Sequence, residues 1–173
     1  YSSQSKGAVE SHIKLVQGRF RTMRMQVEAN YRIRVSMLHP SIPWMLRHVG
    51  FTLNRHHRKR SGRTAFEDAF DEQYGSALVP FGETVLFEAP VSPSGRLLKG
   101  TRQKKGDPAW HRGIWLGRTE TSNEHLIGTV QGVIKCRTIR RLPADSQYDM
   151  ELYKGMIGTP WDPTPNVEAE DGA

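Results

Sequence analysis

A regular apolar stripe near the start of the chain predicts one long amphipathic helix, and this helix constrains the fold more than any other feature. Seven apolar residues follow one another at steps of three or four positions: Val9, Ile13, Val16, Phe20, Met23, Val27 and Tyr31. That spacing keeps them on one side of an α-helix. A helix of about 26 residues would be about 39 Å long, and we expect its apolar side to pack against a core.

A second line of residues on the same helix is basic. At about 100° per residue, several polar side chains lie within about 40° of Glu10 around the helix axis: Lys6, Lys14, Gln17, Arg21, Arg24 and Glu28. The simplest interpretation is a solvated face on which Glu10 pairs with Lys6 and Lys14, at about 0.3–0.5 kcal/mol per pair. The alternative is a row of cations that contacts a polyphosphate backbone.

The distribution of charge favours nucleic acid as the partner. The 173-residue chain has a formal net charge of +7. Residues 1–80 carry 13 Lys and Arg against 6 Asp and Glu, residues 81–142 carry 11 against 5, and residues 143–173 carry 1 against 7. Because cationic surfaces release counterions from phosphates, the basic body should bind nucleic acid without choosing a sequence.

Several classes of protein are disfavoured by what the sequence lacks. The single Cys136 rules out an intramolecular disulfide framework and fits a reducing, intracellular compartment. The sequence has no run of 18 apolar residues and no signal peptide, so we expect no membrane association. Its seven histidines show no zinc-binding spacing, and no nucleotide-binding or hydrolase motif occurs.

Prolines and a glycine mark the next helix and the basic loop after it. Pro40 and Pro43 break the first helix but fit a loop and the first turn of a second one, over about 43–56. This helix runs into the cationic stretch 54–62, closed by Gly62. The stretch is a solvated loop, a phosphate contact or a nuclear localisation patch, and its candidate phosphate contacts are Arg58, Lys59 and Arg60.

A capping box predicts a third, short helix. The side chains of Thr64 and Glu67, three residues apart, can each accept a hydrogen bond from the other residue's backbone N–H, which starts a helix over about 65–73. The acidic residues of this segment read as a solvated helix face: Asp68, Asp71 and Glu72.

From residue 83 onward the pattern changes to short strands. Alternating apolar residues and glycine turns predict a small antiparallel barrel, with strands at about 84–88, 113–118, 125–130 and 133–140. Gln131 and Gly132 mark a tight hairpin. Alternation puts Ile114 and Leu116 on one face and Trp115 on the other.

Two further features of this region bear on binding. The segment 92–107 is rich in Gly, Ser and Pro, so we expect a mobile basic loop; its cations are Arg96, Lys99, Arg102, Lys104 and Lys105. Trp110 and Trp115 are best explained as one indole in the barrel core and one over an edge. Base stacking by Trp110 is the alternative.

The first ten residues, Y-S-S-Q-S-K-G-A-V-E, resemble a motif of retroviral and retrotransposon integrases. In those enzymes the motif reads Y-x-P-Q-x-x-G-x-x-E. It forms the loop and helix start that carry the last acid of the D,D-35-E catalytic triad. Ser3 stands where the family usually has proline, and Lys6 replaces a common glutamine. The matching residues are Tyr1, Gln4, Gly7 and Glu10.

Three later motifs narrow the resemblance to copia-type retrotransposon integrases. That family reads L-N-R, then K-T-P-Y-E, then F-G before a strand. Here L-N-R stands at 53–55, G-R-T-A-F-E at 62–67 and P-F-G at 80–82. The motifs are short, and their shared order and distance after Glu10 carry the match. A first residue that is Tyr and not Met leads us to expect a piece of a longer polyprotein.

The resemblance implies an α+β fold in several parts. Residues 1–74 would be the C-terminal helices of an RNase H-like integrase core, and 75–82 a linker. Residues 83–142 would form a small SH3-like antiparallel β barrel that binds DNA. We expect few contacts between helices and barrel. Residues 143–173 are acidic, rich in proline and without periodicity, which predicts a disordered tail or linker.

The resemblance also implies a function in DNA integration. In the family, three carboxylates hold two Mg²⁺ (or Mn²⁺) ions, which activate water and then a DNA 3′-hydroxyl for attack on phosphorus. Glu10 would be the third, catalytic and metal-binding carboxylate, with Lys6 and Lys14 facing the DNA end.

This chain would then be catalytically incomplete and would bind no metal stably alone. It would act in the nucleus as part of a homo-oligomer. Two other interpretations remain open. One is a non-catalytic nucleic-acid-binding remnant that uses the basic helix and the barrel, and the other is a structural protein whose charge serves solubility.

Overall fold

The structure is a computed structural model that describes residues 3–88, 96–97, 101–102 and 110–165, with side chains over 5–88 and 110–165. These residues form an α+β fold of helices and an antiparallel sheet. The elements are α1 (Ser3–Tyr31), α2 (Ser41–His56), α3 (Ala65–Phe70), β1 (Thr84–Glu88), β2 (Arg96–Leu97), β3 (Thr101–Arg102), β4 (Trp110–Arg118), β5 (His125–Thr129), β6 (Gly132–Cys136), β7 (Ile139–Arg141), a 3₁₀ turn (Ala144–Ser146) and α4 (Met150–Gly155).

The long first helix is confirmed, but its apolar stripe reaches the core only in the second half of the helix. α1 has 29 residues and is therefore about 43 Å long. Val27 and Tyr31 are buried, whereas Val9 and Ile13 are 59% and 49% exposed. The expectation that the whole stripe packs against a core is therefore wrong for the first half within the described residues. α1 ends where Arg32 adopts a left-handed conformation, with φ at 54°.

The second helix agrees closely with its prediction. α2 begins two residues earlier than expected, at Ser41, because Pro40 takes the N-cap position and Pro43 fits the first turn. Near the start of α2, Trp44 and Met45 are both buried, whereas the next residue, Leu46, is 44% exposed. Burial thus follows the tertiary contacts of α2 and not the local pattern alone.

The capping box is confirmed. Thr64 Oγ1 accepts from the Glu67 N–H at 3.0 Å, and a Glu67 carboxylate oxygen accepts from the Thr64 N–H at 2.6 Å. α3 stops at Phe70 and not at residue 73, because Asp71 adopts a left-handed conformation that ends the helix.

Five strands form one open antiparallel sheet in the described residues, in the order β6-β5-β4-β1-β7. The hairpin between β5 and β6 is the predicted one, with Thr129 paired to Gly132. The strand expected over 133–140 is instead two strands, because the chain leaves β6 after Cys136 and crosses to pair β7 with β1. β2 and β3 form a separate two-stranded ladder, in which Arg96 pairs with Arg102.

The sheet buries part of each of its two faces. Ile114 and Leu116 lie on the face that packs against the helices, and Trp115 lies on the opposite face, as alternation predicted. Val85 and Phe87 join Trp115 in a second core.

Helices and sheet share one hydrophobic core, contrary to the expectation of few contacts. Tyr31 and Trp44 pack in one cluster with Ile114 and Leu116. The predicted linker 75–82 ends in this core, where Phe81 is buried. Gly82 has a φ of +83°, and a Cβ there would lie 3.3 Å from a Val27 methyl group. A glycine is needed at this close approach.

The acidic segment after residue 142 is folded over 143–165, which contradicts the prediction of a disordered tail. Within 143–165, α4 packs against the sheet, and Tyr153 and Met156 are fully buried. Asp149 caps α4 by accepting from the Leu152 N–H at 3.1 Å. A six-residue helix with one fully buried side chain, Tyr153, is too short to show periodicity in the sequence. Residues 166–173 lie outside the described part.

A buried carboxylate just before β1 pairs with an arginine at the end of the neighbouring strand β7, at one edge of the sheet. The Glu83 side chain is fully buried, and both its oxygens accept from Arg141, at 2.7 and 2.8 Å. We predict that Arg141→Met lowers the free energy of unfolding by about 3 kcal/mol, since Glu83 is left as an unpaired buried charge. Urea denaturation measures this. The neighbouring Arg140→Met is the control and should cost under about 1 kcal/mol; equal losses would contradict the prediction.

Two buried histidines make stability depend on pH. Burial lowers the pKa of His48 and of His125 to about 4, and His125 accepts a hydrogen bond from the Trp115 indole at 3.0 Å. An unfolded histidine titrates near 6.5, so the unfolded chain binds more protons between about pH 6.5 and 4.

We therefore expect stability to fall as pH decreases through that window, by roughly 3 kcal/mol for His48. Urea denaturation at several pH values measures the slope. His48→Leu should reduce the slope, and the exposed His12→Gln should leave it unchanged. A slope that His48→Leu does not alter would contradict the assignment.

Candidate nucleic-acid interface

The predicted basic line on α1 is exposed along the first half of the helix. Its side chains lie on the surface of a continuous helix, and the exposed members are Lys6, Glu10, Lys14, Gln17 and Arg21. From Lys6 to Arg21 the line covers about 22 Å at the helical rise of about 1.5 Å per residue. Several phosphates of one nucleic-acid strand fit within that length, at about 3.4 Å per charge.

Glu10 is accessible in this structure. Among the described residues its carboxylate makes neither a hydrogen bond nor an ion pair, so the simple pairing with Lys6 and Lys14 does not occupy it. Nor do three or more His, Cys, Asp or Glu side chains converge into a metal site anywhere in the described part of the chain.

Arg24 has a structural role that the helix pattern did not reveal. Its guanidinium donates to the Val35 carbonyl at 2.8 Å and lies 3.3 Å from the Glu28 carboxylate. Glu28 in turn accepts from the Val35 N–H at 2.9 Å. These contacts fix the connection between α1 and α2. Arg24 can therefore contact phosphate only by releasing that connection.

The cationic stretch after α2 is partly neutralised by α3. Lys59 donates to Asp68, which lowers the pKa of that carboxyl. Arg58 donates to the Gly62 carbonyl at 2.6 Å. Arg60 is exposed and has no partner within the described residues. Of the three predicted contacts, Arg60 is thus the one whose charge is fully accessible.

The third predicted cluster is only partly within the described residues. The backbone of Arg102 pairs with Arg96 in the β2–β3 ladder. The Arg102 side chain and all of Lys104 and Lys105 lie outside the described part of the chain, as do Tyr1 and the side chains of Ser3 and Gln4 from the first motif.

The later motif residues are packing residues. Arg55 is buried, its guanidinium lies 3.8 Å from the centre of the Phe51 ring, and it pairs with Glu120 at 2.9 Å. Leu53 and Phe81 are core residues. Leu53, Arg55 and Phe81 thus hold α2 and the start of β1 in place, and the exception in these motifs is Asn54, which is exposed.

Sequence reasoning missed a second cationic surface on the sheet. Arg140 lies over the Trp110 ring, with its guanidinium carbon 4.2 Å from the ring centre. Arg112 lies on the same strand as Trp110. Alternation along β4 could have placed Trp110 and Arg112 on one face. The approach of Arg140 depends on the β1–β7 register, which the sequence does not reveal.

Comparison of the chain with models of protein families, with curated proteins and with solved structures gave no match. The functional interpretation therefore depends on the residues themselves. Across the described residues, no helix has both the length and the apolar character needed to cross a membrane.

We predict that Lys14→Glu combined with Arg21→Glu weakens binding to duplex DNA several-fold and lowers the salt slope by about 2, because two phosphate contacts are lost. Fluorescence anisotropy at several salt concentrations measures both quantities.

The matched control is Arg19→Glu combined with Arg34→Glu, which changes the net charge equally. Arg19 lies about 180° from Glu10 around the helix, so this variant should bind DNA more tightly than the first. Equal loss in the two variants would show that only net charge matters.

Proposed function

We propose that this chain is part of a copia-type retrotransposon integrase, in which α1 binds DNA and carries the last metal-binding carboxylate of the strand-transfer site. The observation that carries the proposal is the exposed line on α1. Glu10 stands free between Lys6 and Lys14 on a helix that continues into the core. The spacing of Glu10 from Gly7 and Gln4 matches the integrase motif.

The exposed line suits contact with phosphate. Lys14 and Arg21 are two helical turns apart on the same side of α1, about 10 Å along its axis, and neither has a partner among the described residues. Long, flexible cations on a helix contact phosphate oxygens and not base edges, so binding should be insensitive to sequence. Affinity should decrease steeply with salt because counterions are released on binding.

The sheet supports the proposal more weakly. Its five antiparallel strands bury an inner core of Val85, Phe87, Trp115 and Ile127, which is compatible with an SH3-like DNA-binding barrel. In this proposal residues 1–74 are the end of an RNase H-like core and residues 83–142 the barrel. The shared hydrophobic core would hold the two at a fixed angle.

The metal chemistry of the proposed site needs carboxylates besides Glu10. Mg²⁺ requires several oxygen ligands in near-octahedral geometry, and Glu10 supplies one carboxylate. The flanking Lys6 and Lys14 would repel an unshielded cation. In the integrase family the other two carboxylates are aspartates that precede this helix. In the complete protein, Glu10 would join them in holding Mg²⁺ or Mn²⁺, within a homo-oligomer acting on nuclear DNA.

We predict that this chain alone joins no DNA ends with either Mg²⁺ or Mn²⁺, because one carboxylate cannot hold two metal ions. A protein extended upstream to include two aspartates should be active, and Glu10→Gln should abolish that activity, since the amide keeps the shape and loses the charge. Strand transfer on a labelled oligonucleotide measures this.

Two controls define the outcome. Glu10→Asp in the extended protein should retain part of the activity, because the charge remains. Glu151→Gln, on α4, should leave joining unchanged. Joining by the chain alone, or full activity with Glu10→Gln, would show that Glu10 is misassigned. DNA binding without activity in any extended form would favour a non-catalytic remnant.

A further inference from the structure

We infer that the sheet face around Trp110 binds unpaired bases of single-stranded DNA, with the indole as the stacking surface and Arg112 and Arg140 as phosphate contacts. The inference deepens the proposed function, because it assumes that the chain binds DNA. It assigns a second surface, separate from the exposed line on α1, and a different form of DNA to that surface.

The strand register places these residues on one face of the sheet. Leu86 of β1 pairs with Arg112 of β4 on one side and with Arg140 of β7 on the other. Trp110 lies two residues before Arg112, so it projects from the same face. This is the continuation of the face that the helices cover at Ile114. The helices do not cover Arg112 and Arg140, and both side chains are exposed.

The Trp110 ring is available for stacking with a base. The indole is only half-buried, and the Arg140 guanidinium lies 4.2 Å from the ring centre. An exposed cation–π contact changes an equilibrium constant by roughly two- to fivefold. Stacking of a base on an aromatic ring changes the binding constant by roughly five- to 150-fold. A base can therefore replace Arg140 over the ring, and the freed guanidinium can pair with a phosphate.

The charges on this face orient the DNA strand. Glu88 pairs directly with Trp110 across the ladder and is exposed, so it repels a phosphate on its side of the ring. Arg112 contacts Asp149 only at 3.7 Å and is half-exposed. That contact is long and solvated, so it is easily released. The phosphates should therefore lie towards Arg112 and Arg140, away from Glu88.

Unpaired bases fit this surface better than a duplex does. In a duplex each base is already stacked on both sides and presents only its edge to a protein. A ring standing on a sheet can stack on a base only after that base has left its neighbours. The surface should consequently distinguish single-stranded from duplex DNA, whereas the cations on α1 should not.

Tryptophan fluorescence tests the inference directly. Trp44 and Trp115 are buried and Trp161 is 77% exposed, so in a Trp161→Phe background Trp110 is the accessible indole. Titration with short oligo(dT) should quench its emission. Trp110→Ala should weaken oligo(dT) binding roughly five- to 150-fold and duplex binding by less than about twofold. Trp110→Phe should keep most of the affinity for oligo(dT), since the ring remains.

The controls separate stacking from folding and from charge. Trp161→Ala removes an exposed indole elsewhere and should leave oligo(dT) binding unchanged. Thermal unfolding of Trp110→Ala and Trp110→Phe checks that both variants fold. Absence of quenching, or equal weakening of single-stranded and duplex binding by Trp110→Ala, would overturn the inference. Duplex binding that depends on Lys14 and Arg21 would then still stand, whereas no binding to either DNA would overturn the proposed function as well.

Discussion

The positions of α1, α2 and α4 relative to the sheet depend on two stacked tyrosines. Tyr31, in the last turn of α1, donates to the Gly82 carbonyl at 2.6 Å, just before β1. Its ring stacks on Tyr153 of α4, with 4.4 Å between ring centres. The Tyr153 hydroxyl shares a hydrogen bond of 2.7 Å with Ser41 at the start of α2. Burial raises the pKa of both phenols, that of Tyr153 to about 12, so both stay neutral and keep these bonds.

This contact divides α1 into two halves with different roles. The second half is held by Tyr31 and Val27 in the core, and Arg24 ties it to the chain that returns towards α2. In the first half, residues 5–14 are all exposed, including the apolar Val9 and Ile13. A rigid helix held at one end can present Glu10 and its neighbouring cations far from the core. The proposed function requires this arrangement.

The same packing explains why part of the sheet remains accessible. α2 and α4 cover the sheet where its residues are apolar, at Ile114 and Leu116. Beyond them the same face carries Arg112 and Arg140, whose charges are not compatible with a hydrophobic cover. Trp110 lies two residues before Arg112 on β4, in the part of this face that the helices do not cover. Two cationic surfaces result, one on a helix and one on the sheet, with different expected preferences for the form of DNA.

Local patterns in the sequence determined the elements of this protein. The step of three and four positions determined α1, the reciprocal hydrogen bonds of Thr64 and Glu67 determined the start of α3, and alternation determined which face of β4 carries Trp115. These features depend on neighbours within about one helical turn or one strand, so they can be read without the fold. The exposed line around Glu10 belongs to the same class, because helix geometry alone aligns it.

Tertiary structure decided which of these residues are available to a ligand. Arg24 is drawn to the Val35 carbonyl, Lys59 is paired with Asp68, and Arg140 approaches Trp110 across β1. None of these contacts follows from spacing, because each depends on how distant segments of the chain meet. The burial of Tyr153 in a segment that looked disordered has the same cause. A few long-range contacts outweigh weak local preferences once they share a core.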